Sequence, residues 1–513
     1  MTQKSANYSM RLSFLLEGFV LIEQEKNPLI TSLAMDSREV SKGCLFLACR
    51  SVNQHEHGST YIETAINAGA IAVVVDVDAG QLDDKENDVL TAKYAVPLFF
   101  IERLDQKMGL IADRFYRHPS QNINVIGITG TNGKTSCAQF LAQCLHTSES
   151  KCGLLGTLGV GIWNEIKPSR FTTPLALSLQ KNLSDIRDAG AIHTVMEVSS
   201  HALAQGRANG VKFNIAMLTN LTRDHLDYHG DMASYALAKQ KLFEMDGLQW
   251  LILNADDSFG RTLLTQNVSS NANKIAYGLR RDLVASQDYF VFGELEQLSL
   301  QGMRFRVATS WGNGVVDSPL LGRFNVNNLL AVLAALLCMK IPLEKAISLL
   351  ERVQPPAGRI EKFAGGDSKP LVVVDYSHTP DALEQVLSTL REHCKENLWL
   401  VFGCGGDRDA GKRPQMAAVA EKFASRIIIT DDNPRNEDAQ QITDDILAGF
   451  AEPDEVIVVH DRAQAIAITI NQAAANDIVL IAGKGHEDYQ IVGDLRIPFS
   501  DRELVLNALK EAA

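Results

Sequence analysis

Short apolar runs alternate with helix-like segments along most of the chain, a pattern typical of proteins built on parallel sheets. The N-terminal part contains three such runs, at 44–49, 70–75 and 97–101. From residue 123 the alternation is regular. Candidate strands lie at 123–129, 193–198, 213–219 and 250–254, and again at 371–376, 398–403, 426–431, 455–460 and 477–483. The pattern predicts the α/β fold class.

Two polar, proline-containing stretches divide the chain: "RHPSQNINV" at 117–125 and "VQPPAGR" at 353–359. Because domains usually contain about 100–200 residues, a chain of this length predicts three of them. We place them at 1–122, 123–355 and 356–513. We expect a smaller N-terminal α/β domain, a central P-loop-type domain with a mostly parallel sheet and helices, and a C-terminal Rossmann-like α/β domain.

Polar motifs follow directly after the apolar runs. Examples are "GTNGKT" at 130–135, "TRDHLDYHG" at 222–230, "DDNPR" at 431–435 and "GKGHEDYQ" at 483–490. Open α/β sheets bind ligands beyond the carboxyl ends of their strands, so we expect a site between the central and C-terminal domains. The alternative is that short loops are polar whether or not they bind anything.

Charge and composition narrow the class of protein. The formal net charge is -13 at pH 7, which argues against a nucleic-acid partner but allows an anionic small molecule in a local basic pocket. The eight cysteines are scattered without CxxC spacing, as expected of reduced thiols. The first residues lack a signal-peptide core, and the longest apolar run, 329–339, is shorter than the about 20 residues that span a bilayer. We expect a monomeric cytoplasmic protein without membrane insertion.

The segment "GITGTNGKTS" at 127–136 has the composition of a phosphate-binding loop. Its glycines let backbone N–H groups approach an anion, and the helix that follows adds its dipole. Lys134 would reach the outer phosphates, and Thr135 would offer a hydroxyl to Mg²⁺. The spacing is unusual, because Ile128 stands where the common motif has glycine.

Hard oxygen ligands suit Mg²⁺, and Glu197 at the end of a predicted strand is one candidate. His225 is a second. Two other interpretations remain open: a transition-metal cluster of His225, Asp227 and His229, and polar loop residues that bind no metal.

The segment "DMASYALAKQKLFEM" predicts a helix capped by Asp231. At about 100° per residue, Lys239 falls within an apolar stripe of that helix, whereas Lys241 points to the opposite side. Periodicity alone favours a lysine that extends along its stem to solvent. The alternative is a neutral, reactive amine that takes up CO₂ to form a carbamate.

Taken together, the motifs resemble those of the Mur ligase family. "GTNGKT", "MEVSSHAL", "TNLTRDHLDYHG", the lysine of "AKQKLF", "GRFNVNNLLA", "GCGGDRDAGKRP", "DDNPR" and "GKGHEDYQ" occur in the family's order, from about residue 35 to the end of the chain. The resemblance implies a ligase of peptidoglycan precursor synthesis that uses ATP and Mg²⁺. ATP would phosphorylate the D-Glu carboxylate of UDP-MurNAc-L-Ala-D-Glu, and the amine of meso-diaminopimelate would attack the acyl phosphate.

The resemblance also implies residue roles. For ATP these residues are Gly130, Thr131, Asn132, Gly133, Lys134, Thr135, Asn220, Asn325 and Arg359. For Mg²⁺ they are Thr135, Glu197, His225 and a carbamate on Lys239; the catalytic set is Lys134, Glu197, His225 and Lys239. For the UDP-sugar dipeptide they are Met35, Ser37, Gln54, His55, Glu56, Thr172, Thr173, Ser199, Gln205 and Arg207. Two features depart from the family: Phe171 replaces an asparagine, and the "SVNQHEHG" loop at 51–58 is longer.

The motif at 432–435 bears on which amino acid is added. In the family, D-N-P-R marks the use of diaminopimelate, and here it comprises Asp432, Asn433, Pro434 and Arg435. Arg435 could bind the second carboxylate in bidentate fashion, helped by Arg408. Glu487 and the carbonyl of Gly483 could accept the distal ammonium. The alternative is a capped turn in which Arg435 pairs only with surface acids.

Two other protein classes share some of these motifs. Folylpolyglutamate synthetase is similar in the central and C-terminal domains, but it lacks both the N-terminal domain and D-N-P-R. A nucleotide-binding scaffold without catalysis is a rival of another class, and the intact Lys134, Glu197, His225 and Lys239 argue against it.

Overall fold

The computed structural model describes residues 8–49, 57–77, 91, 93–147, 149–268, 271–299, 301–364 and 369–510. They form two compact units. The first consists of Met1–Thr129, Leu145–Ala216 and Ala238–Gln249, and the second of Gly130–Cys144, Met217–Leu237 and Trp250–Ala513.

The first unit contains an antiparallel pair, a four-stranded parallel sheet and part of a larger sheet. The pair is β1 (Met10–Arg11) with β2 (Leu29–Ile30). The parallel sheet has the order β3 (Ser32–Ala34), β4 (Cys44–Ala48), β5 (Ala70–Val77) and β6 (Leu98–Glu102). The strands β4 to β6 match the three predicted apolar runs because their residues are mostly buried.

The larger sheet contributes five strands to this unit: β7 (Asn124–Thr129), β8 (Lys151–Gly156), β9 (Gly159–Ile162), β10 (Glu165–Lys167) and β11 (Ala191–Glu197). Strand β11 lies between β7 and β8 and is parallel to both, and β8, β9 and β10 follow one another antiparallel. The register places Glu197 opposite Ile128, so the end of β11 lies beside the end of β7.

Helices of the first unit pack on these sheets. They are Leu12–Leu15, Ile62–Asn67, Leu104–Phe115, Ala176–Asp188 and Ser200–Ala204. The helix Met232–Gln240 starts in the second unit and ends in the first, and strand β12 (Ile215–Leu218) starts in the first and ends in the second.

In the second unit, three parallel strands continue into an antiparallel meander. The strands are β13 (Trp250–Asn254), β14 (Asn273–Gly278), β15 (Tyr289–Ser299), β16 (Gly302–Thr309) and β17 (Gly312–Ser318). The accompanying helices are Lys134–Leu145, Leu226–His229, Ser258–Thr265, Arg281–Val284, Arg323–Cys338 and Leu343–Leu350. The helix Arg323–Cys338 is buried on nearly all sides, which accounts for the long apolar run near its end.

A six-stranded sheet forms the C-terminal part of the second unit. Its order is β18 (Glu361–Ala364), β19 (Leu371–Asp375), β23 (Ile478–Ala482), β20 (Leu398–Phe402), β21 (Arg426–Ile429) and β22 (Ile457–Val458). All pairs are parallel except β18 with β19. A separate hairpin joins β24 (Tyr489–Val492) to β25 (Leu495–Pro498).

Five helices cover this sheet: Pro380–His393, Arg413–Phe423, Ala439–Leu447, Arg462–Gln472 and Asp501–Lys510. The register pairs Asp375 with Ala482 and Phe402 with Ile429. The motifs that follow β19, β20, β21 and β23 therefore share one edge, the carboxyl ends of the parallel strands, as the sequence predicts.

The α/β class and the mostly parallel central sheet are confirmed. One predicted strand is shorter than expected: 455–460 contains only Ile457–Val458, which lie at an exposed sheet edge. All eight cysteines are buried and free. Across the described parts of the chain, no helix is long and apolar enough to cross a membrane.

Candidate active site

Two glycines of the phosphate loop have conformations and surroundings that exclude a side chain. Gly130 has φ 149° and Gly133 has φ 82°. A Cβ on Gly130 would lie 1.8 Å from Oγ1 of Thr219, and one on Gly133 would lie 2.7 Å from Oδ1 of Asn328. Both positions therefore need glycine, and the close packing holds the loop in one shape.

Side chains from the segment after β12 fix the same loop. Oδ1 of Asn220 accepts a hydrogen bond from the backbone N–H of Asn132 at 2.9 Å, and Oγ1 of Thr219 donates to the carbonyl of Asn132 at 2.6 Å. The ammonium of Lys134 donates to the carbonyls of Gly130 and Thr131, at 2.8 and 2.7 Å. The predicted contacts Asn132, Lys134 and Asn220 are thus brought together around one loop.

A cavity of about 250 Å³ lies beside this loop in the second unit. Its wall includes Asn132, Gly133, Asn220, Asn325 and Arg359 from the predicted nucleotide-binding set. The end of β19 and the residues after it line the cavity too, among them Asp375, Ser377 and Asp381. The amide of Asn132 donates to Oδ2 of Asp381 at 3.0 Å, which ties the loop to the C-terminal sheet.

Arg359 lies where the central and C-terminal parts of this unit meet. Its guanidinium stacks on the ring of Tyr376, 4.5 Å from the centroid, and Nη2 donates to Oγ1 of Thr135 at 3.5 Å. Tyr376 also contacts the rings of His378 and His486. Burial lowers the pKa of His378 and of His486 to about 4, helped by nearby cations. Both imidazoles are therefore neutral near pH 7 and add no positive charge to the pocket.

The motif at 222–230 carries a buried carboxylate beside the predicted metal ligand. His225 has φ 55°, and its Nε2 lies 3.5 Å from Oδ2 of Asp224. Burial alone would raise the pKa of Asp224, but neighbouring positive charge, foremost that of His225, and a hydrogen bond from the N–H of His225 outweigh it and lower the pKa to about 2. Among the described residues, no group of three or more His, Cys, Asp or Glu side chains is arranged to hold a metal.

In the first unit, Glu197 is buried and oriented by a residue that the sequence did not single out. The backbone N–H and the hydroxyl of Thr157 both donate to its carboxylate, at 2.8 and 3.1 Å. A Cβ on Gly156 would lie 2.2 Å from Oε1 of Glu197, so Gly156 makes room for this carboxylate. The signal for Thr157 was its place directly after the apolar run of β8.

The predicted dipeptide-binding residues of the central domain cluster around Glu197. Thr173 donates to the carbonyl of Glu197 at 2.8 Å and accepts from the N–H of Ser199 at 3.0 Å. Arg207 donates to the carbonyl of Thr173 at 3.1 Å and to Oε1 of Gln205 at 2.8 Å.

Phe171 and Thr172 border this cluster. The hydroxyl of Thr172 lies 3.1 Å from that of Thr157. Arg207 lies over the ring of Phe171, 4.9 Å from its centroid. The aromatic residue that replaces the family's asparagine therefore packs against a predicted substrate-binding arginine.

Lys239 is buried, with 1% of its surface exposed, and Lys241 is exposed, as the helical periodicity predicts. The side chain therefore does not extend to solvent, which removes the first of the two interpretations given above. Oδ1 of Asp231 caps the helix by accepting from the N–H of Ser234 at 2.7 Å.

In the N-terminal part, Met35 packs against the core of the first unit, and Ser37 begins a short 3₁₀ helix that Asp36 caps. Gln54, His55 and Glu56 lie outside the described residues.

At the edge of the C-terminal sheet, Arg435 is half-buried with φ 55°. Its Nη1 donates to the carbonyl of Gly406 at 2.7 Å, and no carboxylate of the described chain pairs with it. Burial, together with the positive charge of Arg408, lowers its pKa from the ordinary value. Arg435 therefore does not pair with surface acids, as the alternative interpretation required.

Beside Arg435 lies a buried ammonium that the sequence did not single out. Lys484 is fully buried and donates to Oε2 of Glu487 at 2.9 Å and to Oδ1 of Asn433 at 3.1 Å. It also lies 3.5 Å from Oδ1 of Asp432. The feature of the sequence that could have indicated Lys484 is its position between two glycines, directly after a buried strand.

Comparison with known proteins gives three family matches in order along the chain. Residues 29–116 match "Mur ligase family, catalytic domain", residues 128–336 match "Mur ligase middle domain", and residues 358–485 match "Mur ligase, glutamate ligase domain". The three matches confirm the three-domain α/β organisation, and the boundaries at 122 and 355 stay a prediction.

Several relatives are similar over almost their whole length. Proteins named "UDP-N-acetylmuramoyl-L-alanyl-D-glutamate--2,6-diaminopimelate ligase" from Ectopseudomonas mendocina and Coxiella burnetii are both 46% identical; the matches cover 93% and 94% of this chain, and 94% and 96% of theirs. A solved structure with the same name is 35% identical, with a TM-score of 0.68, and covers 98% of this chain and 99% of its own.

A folylpolyglutamate synthase from Mycobacterium tuberculosis is 19% identical, with a TM-score of 0.61, and covers 74% of this chain and 92% of its own. That likeness extends to the fold alone. The chain belongs to the Mur ligase family, as its motifs predict.

Proposed function

We propose that this chain is an ATP-dependent amide ligase that joins meso-diaminopimelate to the D-Glu carboxylate of UDP-MurNAc-L-Ala-D-Glu. The relatives named for that reaction are about 45% identical over nearly the whole chain, which supports the reaction class. The observation that carries the choice of amino acid is Arg435. It is a half-buried cation that donates to the backbone carbonyl of Gly406 and has no carboxylate partner in the described chain.

The phosphate loop would bind the triphosphate of ATP. Its geometry supports this role because the positive φ angles of Gly130 and Gly133 shape a tight turn directly before a helix, which begins at Lys134. Lys134 would neutralise charge on the γ-phosphate as it passes to the D-Glu carboxylate. Asn220, Asn325 and Arg359 would hold the nucleotide in the cavity that they line.

The family resemblance assigns Mg²⁺ to Thr135, Glu197 and His225. Thr135 is 4% exposed, Glu197 is 2% exposed, and Thr157 holds the Glu197 carboxylate in place. The hydroxyl and the carboxylate would supply oxygen ligands, which Mg²⁺ prefers, and His225 would supply a ring nitrogen. When bound, the ion would supply positive charge to the phosphates during transfer.

Lys239 would carry a carbamate. Burial disfavours a charged ammonium, and a neutral amine adds to CO₂ with loss of a proton to give an N-carboxylate. The product is an anion with two oxygens that can support a second metal ion. The helical stripe that buries Lys239 and the family's lysine at this place support the assignment.

The UDP-sugar dipeptide would bind in the first unit. Thr173, Ser199, Gln205 and Arg207 form a connected hydrogen-bonded group that also contacts the backbone of Glu197. Thr172 joins it through Thr157, which donates to the Glu197 carboxylate. Such a group can present a fixed set of donors to an anionic substrate. Met35 and Ser37 would contact the same substrate from the N-terminal domain.

The amino acid would bind at the edge of the C-terminal sheet. Arg435, with Arg408, would hold the distal carboxylate of diaminopimelate, and Glu487 with the carbonyl of Gly483 would accept the distal ammonium. Asp432, Asn433 and Pro434 would form the turn that places Arg435. L-Lysine has no distal carboxylate, so it would leave Arg435 unpaired.

The test supplies purified protein with ATP, Mg²⁺ and UDP-MurNAc-L-Ala-D-Glu and compares meso-diaminopimelate with L-lysine. We expect the nucleotide-linked tripeptide and one phosphate per peptide bond with diaminopimelate, and little product with lysine. Equal use of both amino acids would reject the role of Arg435. Phosphate release without a peptide product, or no reaction at all, would reject the ligase assignment.

A further inference from the structure

The candidate amino-acid site contains one cation that none of the roles above requires. Lys484 follows Gly483 at the end of β23, and none of its side chain is exposed. It cannot touch a bound amino acid in the way that exposed Arg408 or half-buried Arg435 can. Its contacts are instead with Asp432, Asn433 and Glu487, which the proposed function places at the site.

Lys484 uses one particular oxygen of Glu487. Its ammonium donates to Oε2 at 2.9 Å, and the amide of Asn433 donates to the same oxygen at 3.0 Å. Within the described parts of the chain, Oε1 has one long hydrogen bond, at 3.5 Å from the hydroxyl of Tyr489. The carboxylate is therefore fixed through one oxygen, and the other is left for a ligand.

Lys484 also connects Glu487 to the turn that carries Arg435. The carbonyl of Asn433 accepts from the N–H of Gly406 at 2.9 Å, and its Oδ1 accepts from both Lys484 and the N–H of Ile491, at 3.1 and 2.9 Å. The backbone of Arg435 bonds with Ile491 and Gly493. The ammonium of Lys484 thus connects Glu487, which would bind the distal ammonium, with the turn that carries Arg435, which would bind the distal carboxylate.

The charge balance of the site depends on the same residue. Arg408, Arg435 and Lys484 are set against two carboxylates, Asp432 and Glu487, which leaves one net positive charge. Without Lys484 these five groups would lose their net positive charge, and Glu487 would lose its ion pair. The buried cation left near the two carboxylates would be Arg462, which is already paired with Asp501. Without Lys484 the site would therefore discriminate less strongly than the unchanged site against a side chain that carries only an ammonium.

We propose that Lys484 is a positioning residue that selects an amino acid with both a distal carboxylate and a distal ammonium. It fixes Oε2 of Glu487 and neutralises Asp432, so that Oε1 of Glu487 and the guanidinium of Arg435 meet the two distal charges at a set separation. The proposal rests on the proposed function, because it concerns the amino acid of that reaction.

The test compares Lys484→Met, which keeps the length of the side chain and removes its charge, with Lys484→Gln, which keeps a donor. Lys422→Met is the matched control, since Lys422 makes an ion pair of the same 2.9 Å length, with Glu384, on the exposed surface of the same sheet domain. Each full-length variant is assayed for KM of diaminopimelate, KM of ATP and the rate with L-lysine, and its thermal unfolding is recorded.

For Lys484→Met we expect KM of diaminopimelate to rise about tenfold, KM of ATP to stay within about twofold, and the preference over lysine to fall. Lys484→Gln should lie between Lys484→Met and the unchanged protein. In a Glu487→Gln background, Lys484→Met should add little further loss, because it acts through Glu487. Lys422→Met should behave as the unchanged protein.

Several results would overturn the proposal. One is an unchanged KM and preference in Lys484→Met; another is a parallel rise of KM for ATP and diaminopimelate. Unfolding of both Lys484 variants would also do so, because the residue would then hold the fold rather than the ligand groups. If the unchanged protein makes no product with diaminopimelate, the proposed function itself is rejected. The measurement on the unchanged protein therefore separates that outcome from a failure of the proposal for Lys484.

Discussion

Replacing Arg435 by lysine keeps the charge of the amino-acid site and changes only the geometry of its donors. An arginine has five N–H donors in a planar fork, whereas a lysine ammonium has three on a flexible stem. In the structure, Nη1 is fixed by the carbonyl of Gly406 at 2.7 Å, which leaves the rest of the fork for a carboxylate. The backbone conformation, φ 55°, is equally costly for both residues, so the fold should be unaffected.

The magnitude follows from the bonds that lysine cannot reproduce. A bidentate guanidinium makes two charge-assisted hydrogen bonds to a carboxylate, and a lysine that still bonds to Gly406 makes one. Losing one bond to a charged group costs about 1.5–3 kcal/mol, which is about 10- to 150-fold in kcat/KM for diaminopimelate. KM for ATP should not change, because the nucleotide cavity is lined by other residues.

Initial rates of phosphate release and of tripeptide formation, measured against diaminopimelate and against ATP, give both constants. Arg496→Lys is the matched control, since Arg496 is a more exposed arginine of the neighbouring hairpin with its own partner, Asp488. Equal losses toward ATP and diaminopimelate in Arg435→Lys would show that Arg435 supports the fold instead of binding the amino acid. A loss below about twofold would refute the bidentate contact.

Three further changes test other parts of the molecule. Lys239→Ala should abolish product formation, and added short-chain carboxylic acids should restore part of it; full activity without rescue would contradict the carbamate. Gly133→Ala should raise KM for ATP and lower the melting temperature, because φ 82° costs a residue with Cβ about 1–2 kcal/mol and Asn328 lies in the way. Burial acts to raise the pKa of Asp477, but hydrogen bonds from Ala474, Trp399 and other donors outweigh it and lower the pKa overall. The charged carboxylate therefore adds to the free energy of unfolding above the pKa of the unfolded chain, about 3.9, and this contribution is lost as the pH falls through the lower pKa of the folded state. Asp477→Asn should therefore cost about 1–3 kcal/mol at neutral pH and flatten the acid limb of urea unfolding; an unchanged acid limb would contradict this.

The parallel strands were predictable because both of their faces are buried. The apolar runs that became β13, β20 and β23 are almost entirely inaccessible to solvent, and such runs stand out in the sequence without any alternation. The motifs after them could be placed at the carboxyl ends for the same reason. The family resemblance then supplied roles that burial alone could not.

The antiparallel strands were missed. In β16, buried Met303, Phe305 and Val307 alternate with exposed residues, and β15 and β17 pair with it on either side. Alternation of this kind is a recognised strand signal, but the polar residues on the solvent face leave no continuous apolar run like those of the parallel strands. The hairpin of β24 and β25 left no such trace, because its residues are exposed or half-buried throughout.

Lys484 shows why part of the site could not be found from the sequence. A buried ammonium is stable only beside acceptors, and its partners Asp432 and Asn433 come from a different strand end, far away in the chain. Only the register of the sheet brings them together. The same holds for Thr157, whose importance appears when its donors are seen on Glu197.

The C-terminal domain holds its buried cations in two ways, and the difference supports the proposed position of the amino-acid site. Arg462 forms a fully buried pair with Asp501, and Lys484 is paired with Glu487, so both are held by acids of the same chain. Arg435 has been taken partly out of water without such an acid, and the nearby Arg408 makes its position more costly still. A cation in that situation is stabilised by any ligand that brings a carboxylate, so the free energy of binding includes relief of a cost already present in the protein. An amino acid that brought only an ammonium would leave that cost in place.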